Sequence, residues 1–289
     1  MTLTGTFTAL VTPFNIDGSL DEGALRDLVK WQIESGVNGL VPVGTTGESP
    51  TLDVAEHLKV IAVTLEAAAG RAVIIAGTGA NSTSEAISLT KEVLDMGVQG
   101  TLQVTPYYNK PNAEGLFRHF SAIADLGLPI VLYNVPGRAG REIPLDVVIR
   151  LSRHPNVAAI KEAAGSVDRV SAIRDACELP VLSGDDSLAL PMISVGACGV
   201  ISVASNIIPK EMSNLIRLAL ANDLVTAREL HRHYYPLFRD LFIDTNPIPV
   251  KTALAMMNRI GPTFRLPLCE TNDKARAHLK QTLSSFDLI

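Results

Sequence analysis

The chain has 289 residues, 47% hydrophobic and 19% charged, which is enough to bury the core of one large α/β domain or of two smaller ones. The net charge of −5, from 30 acidic and 25 basic residues without a block of like charge, argues against nucleic acid or an anionic membrane as partner and favours a small metabolite. No basic segment followed by an apolar one opens the chain and no apolar run could span a bilayer, so we expect a cytoplasmic protein.

The cysteines and histidines predict neither a disulfide framework nor a metal site. Cys177, Cys198 and Cys269 are odd in number and widely scattered, and we expect them to be reduced and structural. His231 and His233 are two residues apart, a spacing that points two side chains away from each other on a helix. We therefore expect the protein to work without a metal ion.

Eight short apolar runs alternate with longer amphipathic stretches. Each run is almost continuously apolar, as expected for strands buried on both faces, and each ends in Gly, Pro or polar residues before a helical stretch. The predicted strands are Thr6–Pro13, Gly39–Gly44, Ala72–Thr78, Gly100–Pro106, Pro129–Asn134, Val157–Lys161, Pro180–Gly184 and Gly199–Ala204.

Capping-box or related spacings mark three helix starts: Ser19 with Glu22, Asp53 with Glu56, and Ser82 with Glu85. Eight strand–helix units predict an α/β fold, a (β/α)8 TIM barrel, over residues 1–222. A doubly wound sheet is the structural alternative, but it would show fewer strands and a switch-point glycine fingerprint that the sequence lacks.

After residue 222 the strand pattern stops, and residues 223–289 are predicted to form a C-terminal helical domain appended to the barrel. Its predicted helices are Leu224–Arg239, Pro249–Asn258 and Thr271–Ser284.

The apolar run Val157–Ile160 leads directly into Lys161, which a buried parallel strand would deliver to the mouth of a barrel. This placement makes Lys161 the best candidate for a nucleophile that forms a Schiff base with a carbonyl substrate. A lysine with the ordinary pKa of roughly 10.4 keeps only about 0.04% of its amine unprotonated at pH 7, so the role requires desolvation or nearby donors. The alternative is a lysine that ends a strand and reaches water.

Polar residues follow several other strands, and the carboxyl ends of all barrel strands meet on one face. Gly44–Glu48 (GTTGE) offers backbone N–H groups and two hydroxyls for a small carboxylate, although such glycine turns are also common as plain connections. Tyr107 and Tyr108 follow the fourth strand. Tyr133, on the fifth, is the better candidate to pass protons to a lysine amine, and Arg138 is well shaped for a substrate carboxylate. Packing tyrosines and a solvated arginine are the alternatives.

Gly184, Asp185 and Asp186 follow the seventh strand. Two carboxylates there could bind a metal, but aspartate before a helix is more often a cap, and we predict a cap.

Five segments together resemble the dihydrodipicolinate synthase family, and the similarity runs over essentially the whole chain. They are Gly44–Ser49 (GTTGES), Thr105–Asn109 (TPYYN), Tyr133–Arg138 (YNVPGR), Ile160–Ala163 (IKEA) and Asn246–Lys251 (NPIPVK). The wider family, which also holds N-acetylneuraminate lyase and keto-deoxy sugar acid aldolases, shares the barrel and the Schiff-base lysine. The threonine pair and the arginine favour the synthase.

This resemblance implies the condensation of pyruvate with aspartate 4-semialdehyde at the entry to diaminopimelate and lysine biosynthesis, with no metal and no organic cofactor. By the same similarity, Lys161 forms the imine with pyruvate, and Tyr133, Thr45 and Tyr108 form the proton relay. The Tyr108 equivalent reaches in from a neighbouring subunit, so the resemblance implies at least a dimer, and usually a homotetramer built as a dimer of dimers.

The resemblance also assigns substrate-binding residues. Thr45 and Thr46 would hold the pyruvate carboxylate, Arg138 the semialdehyde carboxylate, and Gly184 and the Ile201 carbonyl would line the pyruvate site. Arg138 is followed by Ala-Gly-Arg, where the family more often has a threonine directly after the arginine.

A regulatory site for lysine is implied by further matches to regulated members of the family: Ser49, His57, Asn81, Glu85 and Tyr107. Val54 replaces a histidine found in some of these members, and Pro50 stiffens the segment. We therefore predict weakened inhibition by lysine.

Two other functions compete with the synthase. An aldolase or lyase acting on a keto-deoxy sugar acid or sialic acid would use the same imine, but the sialic acid enzymes usually carry Ser-Thr in place of Thr45 and Thr46 and lack the context of Arg138. A non-catalytic barrel that binds a keto acid is the alternative from another class, and the lysine, both tyrosines and the threonine argue against it.

Overall fold

The computed structural model describes residues 3–289 and contains a closed barrel of eight parallel strands, each paired with the next and the last paired with the first. The strands are β1 Gly5–Ala9, β2 Gly39–Val41, β3 Val73–Gly77, β4 Gly100–Val104, β5 Ile130–Asn134, β6 Val157–Glu162, β7 Val181–Ser183 and β8 Gly199–Ser202. The predicted (β/α)8 barrel is confirmed, and the doubly wound sheet is excluded.

Helices separate the strands and enclose the barrel, because parallel strands need crossover connections that cover the sheet. In chain order the helices are α1 Glu22–Glu34, α2 Val54–Ala68, α3 Thr83–Leu94, α4 Ala113–Ala124, α5 Pro136–Ala139, α6 Leu145–Leu151, α7 Val167–Ala176, α8 Asp186–Ser194, α9 Pro209–Leu220, α10 Leu224–Asp240, α11 Ile248–Met256 and α12 Asp273–Ser285, of which the last four follow β8. Most predicted strands lie within one or two residues of the observed ones. The first predicted strand extends four residues beyond the carboxyl end of β1. Leu10–Thr12 are buried like strand residues although they lie outside the strand.

Two of the three predicted helix starts are correct. Asp53 accepts a hydrogen bond from the N–H of Glu56 at 2.8 Å, and Ser82 accepts one from the N–H of Glu85 at 3.5 Å. The prediction for Ser19 was wrong. Asp21 caps α1, and a carboxylate adjacent to the first turn is the stronger acceptor for its free N–H groups.

The C-terminal helices α10 to α12 pack against the barrel layer rather than standing apart from it. Helix α10 contacts α8 and α9, and α12 contacts both α10 and α11. Buried side chains of these helices, including Leu237, Val250 and Leu279, belong to the same apolar cluster as the helix–strand layer of the barrel. Between residues 3 and 289, no helix is long and apolar enough to cross a membrane.

The three cysteines are free thiols. Cys177 and Cys198 are half-buried, and burial raises the pKa of the Cys198 thiol to about 11, which makes it a weak nucleophile. Cys269 is exposed, so the prediction of a structural role is wrong for this residue.

A second apolar cluster fills the interior of the barrel. Its members are Leu3, Phe7, Ala9, Val41, Ile75, Leu102, Val131, Tyr133, Val135, Ala159, Leu182 and Ile201. Side chains alternate between the two faces of a strand, so a residue two positions after an interior one also points inward. Lys161 follows Ala159 by two and is therefore directed into the carboxyl end of the barrel.

Candidate active site

Lys161 lies on β6, which pairs with β5 on one side and with β7 on the other. Its Cα pairs with Tyr133 on β5 and with Leu182 on β7. The side chain is 6% exposed, and Nζ lies 4.1 Å from the centre of the Tyr133 ring. Within residues 3–289 the amine has no hydrogen-bond partner, and the Tyr133 hydroxyl is not bonded to it. The structure thus brings together the lysine and the tyrosine named from the sequence, with the amine over the ring face.

A carboxylate that the sequence did not single out for catalysis lies in the electrostatic environment of the amine. Burial raises the pKa of Asp185, and the positive charge of Lys161 offsets part of that effect. An ammonium group is stabilised by such a neighbour, whereas a nucleophilic amine has to lose its proton. A buried carboxylate therefore lies within electrostatic reach of the candidate nucleophile.

A cavity of about 230 Å³ opens at the carboxyl ends of the strands. It is lined by Val43, Gly44, Thr45, Ser49, Pro50, Gly77, Gly79, Leu102, Val104, Tyr107, Tyr133, Val135, Arg138 and Ala139. Five of the residues named from the sequence for catalysis, binding or regulation line it: Thr45, Ser49, Tyr107, Tyr133 and Arg138. A mostly apolar cleft with a few convergent polar groups is typical of a small-molecule site.

The Gly44–Glu48 turn leaves two backbone donors free for a ligand. The N–H groups of Gly47 and Glu48 bond to the carbonyls of Gly44 and Thr45 within the turn, at 3.1 and 3.2 Å. Across residues 3–289, no acceptor is found for the N–H groups of Thr45 and Thr46. Free N–H groups next to two hydroxyls suit a carboxylate, and carboxylate binding by this turn stays a prediction from its sequence.

Arg138 lies in the short helix α5, which begins with Pro136 and ends at Gly140 in the left-handed conformation, φ +67°. The Gly140 N–H bonds to the Pro136 carbonyl at 2.8 Å and closes the loop that departs from the family pattern. Arg138 lines the cavity, and its guanidinium donates one N–H to the backbone carbonyl of Asn246, at 2.9 Å. Its remaining donors can bind a carboxylate.

The segment Asn246–Lys251 was noted in the sequence only as part of the resemblance, and its role was missed. The Asn246 side chain donates to Thr46 Oγ1 at 3.0 Å. Lys251 forms a buried ion pair with Glu48, the last residue of the GTTGE turn. Burial lowers the pKa of Lys251, and the Glu48 carboxylate acts against that shift. The signal available in the sequence was a lysine in apolar surroundings, but its partner Glu48 is 203 residues away, which concealed the pairing.

Gly184 directly follows β7, the strand beside Lys161, and Ile201 lies on β8, the next strand of the barrel. A Cβ added to Gly184 would lie 3.2 Å from Lys161 Cε, which places this backbone against the nucleophile. Ile201 is fully buried on β8, with its side chain in the barrel interior.

The prediction that an aspartate after β7 caps α8 was wrong. Asp185 occupies the N-cap position without a side-chain capping bond. Asp186 instead accepts hydrogen bonds from Ser202 Oγ at 2.5 Å and from the N–H of Ala204 at 2.8 Å, and so ties the β7–α8 turn to the end of β8. Burial raises its pKa to about 6.

Tyr108 is 90% exposed, has φ +72°, and does not line the cavity of its own chain. Its neighbour Tyr107 lines that cavity and is 38% exposed. A tyrosine held in the left-handed region with its ring in solvent is not explained by packing within the chain.

The residues matched to a lysine-binding site lie around the loops after β2, β3 and β4. Ser49 and Tyr107 line the cavity, and the Glu85 charge contributes to the raised pKa of Tyr107, for which burial is the larger cause. Asn81 offers its carbonyl to Asn109, at 2.8 Å. His57 is 4% exposed, and its Nε2 donates to the Gly77 carbonyl at 2.7 Å, so this ring nitrogen is already occupied.

Residues 3–289 hold no group of three or more His, Cys, Asp or Glu side chains arranged to bind a metal ion. The rings of the two histidines on α10 pack in different places. His231 lies 6.0 Å from Phe238 between ring centres, and His233 lies 5.3 Å from Phe286.

The family model, the curated relatives and the solved structures that match this chain all point to one protein family. The model of the "Dihydrodipicolinate synthetase family" matches residues 2–286. A curated 4-hydroxy-tetrahydrodipicolinate synthase from Nitratidesulfovibrio vulgaris (strain DP4) is 49% identical over 293 residues, covering 100% of both chains.

Two solved structures superpose closely on this one. The 4-hydroxy-tetrahydrodipicolinate synthase of Methylacidiphilum fumariolicum SolV has a TM-score of 0.97 and 52% identity, covering 99% of this chain and 96% of that one. The dihydrodipicolinate synthase of Acinetobacter baumannii, solved in complex with pyruvate, has a TM-score of 0.98 and 46% identity over 100% of both chains. These matches confirm the resemblance found in the sequence, and the chain belongs to the dihydrodipicolinate synthetase family.

Proposed function

We propose that the protein is a carbon–oxygen lyase that condenses pyruvate with L-aspartate 4-semialdehyde to give 4-hydroxy-tetrahydrodipicolinate, the entry step of diaminopimelate and lysine biosynthesis. The observation that carries the proposal is a buried, unbonded Lys161 amine over the Tyr133 ring, beside a cavity with two carboxylate-binding elements. The family to which the chain belongs and the pyruvate complex of a 46% identical protein support it.

The reaction begins when the unprotonated Lys161 amine adds to C2 of pyruvate. Loss of water gives an imine, and loss of a methyl proton gives an enamine, whose carbon attacks the aldehyde carbon of the second substrate. The amine of the semialdehyde then adds to the imine carbon and releases Lys161. The product keeps one ring C=N bond, and one water is released for each pair of substrates.

Proton transfer in this scheme is assigned to Tyr133, Thr45 and Tyr108. The Lys161 amine lies over the Tyr133 ring, and Tyr133 and Thr45 line the same cavity. The 4.1 Å separation of the amine from the ring centre supports the assignment of Tyr133. Tyr108 is proposed to act from the neighbouring subunit.

Two separate elements bind the two carboxylates in this proposal. Thr45 and Thr46, with their free N–H groups, hold the pyruvate carboxylate, while Arg138 holds that of the semialdehyde. Gly184 and the Ile201 carbonyl line the pyruvate site.

The proposal extends to the oligomeric state of the protein and to its inhibition by lysine. We propose a cytoplasmic homotetramer built as a dimer of dimers, because the Tyr108 ring points away from the cavity of its own chain. The proposed lysine site consists of Ser49, His57, Asn81, Glu85 and Tyr107. We expect weakened inhibition because Val54, exposed at the start of α2, replaces a histidine of some regulated members and Pro50 stiffens the segment.

The test mixes the protein with pyruvate and aspartate 4-semialdehyde and follows the loss of both, with pyruvate omitted in the control. We expect pyruvate-dependent consumption and a product that a dipicolinate-pathway reductase accepts. If neither substrate is consumed but borohydride with pyruvate still labels Lys161, the nucleophile stands and the aldehyde partner is to be sought among sugar acids. If borohydride gives no adduct, every Schiff-base mechanism is excluded.

A further inference from the structure

Asn246 joins two parts of the site that bind different substrates in the proposed function. Its Nδ2 donates to Thr46 Oγ1 at 3.0 Å, and its backbone carbonyl accepts from Arg138 Nη2 at 2.9 Å. Asn246 is 6% exposed and does not line the cavity, so it acts through these two residues. We propose that Asn246 is a positioning residue: it fixes the Thr46 hydroxyl as a hydrogen-bond donor to the keto-acid carboxylate and sets Arg138 relative to it.

The direction of the hydrogen bond to Thr46 determines what that hydroxyl can do. A hydroxyl has one proton to donate and two lone pairs to accept, whereas the amide Nδ2 can only donate. The bond from Asn246 therefore uses a lone pair of Thr46 Oγ1 and leaves its proton for a substrate. Across residues 3–289, Thr46 Oγ1 makes no other hydrogen bond, and Asn246 Oδ1 is buried without a partner. A carboxylate is the ligand that this oriented donor suits.

The segment that carries Asn246 is anchored to the same turn a second time. Lys251, five residues later on α11, pairs with Glu48 in a fully buried ion pair, and its amine lies 4.4 Å from the centre of the Phe14 ring. The turn is thus attached at Thr46 and at Glu48 to one short stretch of chain. An anchored support holds a hydroxyl direction that a mobile side chain would not.

The inference rests on the proposed function, and the experiment separates the two. Borohydride trapping of the Lys161 adduct is measured against pyruvate concentration at pH 7 for the wild type, Asn246→Asp, Asn246→Ala, Thr46→Val and the double variant Asn246→Ala/Thr46→Val. Asn156→Asp is the matched control, because Asn156 lies before β6 at the opposite end of the barrel and its Nδ2 also donates to a buried carbonyl, that of Ala124. The unfolding midpoint of each variant is measured in parallel.

We expect Asn246→Asp to raise the half-saturating pyruvate concentration about tenfold or more, because the new carboxylate accepts the Thr46 proton and repels the substrate's own carboxylate. Asn156→Asp leaves that concentration unchanged. Asn246→Ala has a smaller effect, and it adds less than about twofold to Thr46→Val, because the two residues act through one hydroxyl.

Results that differ from these contradict either the proposed function or the positioning role of Asn246. Absence of an adduct in the wild type overturns the proposed function. An adduct in the wild type with the same pyruvate dependence in Asn246→Asp overturns the positioning role, since an asparagine that merely accepted from Thr46 would be replaced by aspartate without loss. If Asn246→Asp does not fold, the cycle between Asn246→Ala and Thr46→Val decides, and fully additive effects overturn the inference.

Discussion

At the scale of single residues, the backbone at Gly184 closely approaches the side chain of Lys161. A Cβ added to Gly184 would lie 2.6 Å from the Ala163 Cβ and 3.2 Å from Lys161 Cε. We expect Gly184→Ala to displace the lysine and to slow formation of the borohydride-trapped adduct by roughly 10- to 100-fold, because small errors in reactant position are costly. The measurement is the initial rate of adduct formation at saturating pyruvate.

Gly23→Ala is the matched control for this substitution. Gly23 is exposed in the first turn of α1, and its added Cβ would come no closer than 3.4 Å, to Asp21 Oδ1. The adduct should form in this variant at the wild-type rate. Equal rates in Gly184→Ala and Gly23→Ala would mean that the close approach of Gly184 does not position the nucleophile.

At the scale of elements, the ion pair between Lys251 and Glu48 holds α11 to the turn after β2. Their side chains are 1% and 0% exposed. We expect Lys251→Met to lower the free energy of unfolding by about 3–5 kcal/mol, because it leaves the Glu48 carboxylate buried without its counter-charge. The double variant Glu48→Gln/Lys251→Met should regain part of that loss, since no buried charge then lacks a partner. Urea unfolding of both variants measures these changes.

The exposed pair of Arg118 with Glu114 serves as the comparison for this experiment. Both side chains are largely in solvent, at 77% and 46% exposure, so Arg118→Met should leave the urea midpoint almost unchanged. A Lys251→Met variant as stable as Arg118→Met, or a double variant less stable than Lys251→Met alone, would contradict the structural role of the buried pair.

The same elements explain which predictions from sequence succeeded. Strand order, barrel closure and the place of Lys161 could be predicted because they follow from local periodicity and from the rule that strand ends share one face. The prediction that Ser19 caps α1 was wrong because Asp21 accepts from the free N–H groups of the first turn instead. Asn246 and Lys251 could not be found from local pattern, because their partners lie about 200 residues away and the contacts exist only in the folded chain.

At the scale of the whole molecule, the barrel brings the proposed active-site residues of one chain to the same end, whereas Tyr108 does not line their cavity. Tyr108 is 90% exposed, and in the proposed function it completes the site of a neighbouring subunit. A two-fold interface exchanges the same residue in both directions, so each of two sites would depend on its partner's tyrosine. Chains with defects in different residues should then repair each other.

We expect a 1:1 mixture of Lys161→Ala and Tyr108→Phe chains, dissociated and reassembled, to recover up to about a quarter of wild-type activity, because half of the random dimers are mixed and each mixed dimer has one complete site. A mixture of Lys161→Ala with Tyr133→Phe should recover nothing, since these two residues must lie on the same chain. Mass spectrometry of the intact oligomers checks that mixed species form. If they form and the first mixture stays as inactive as the second, Tyr108 does not act across subunits and its exposure needs another cause.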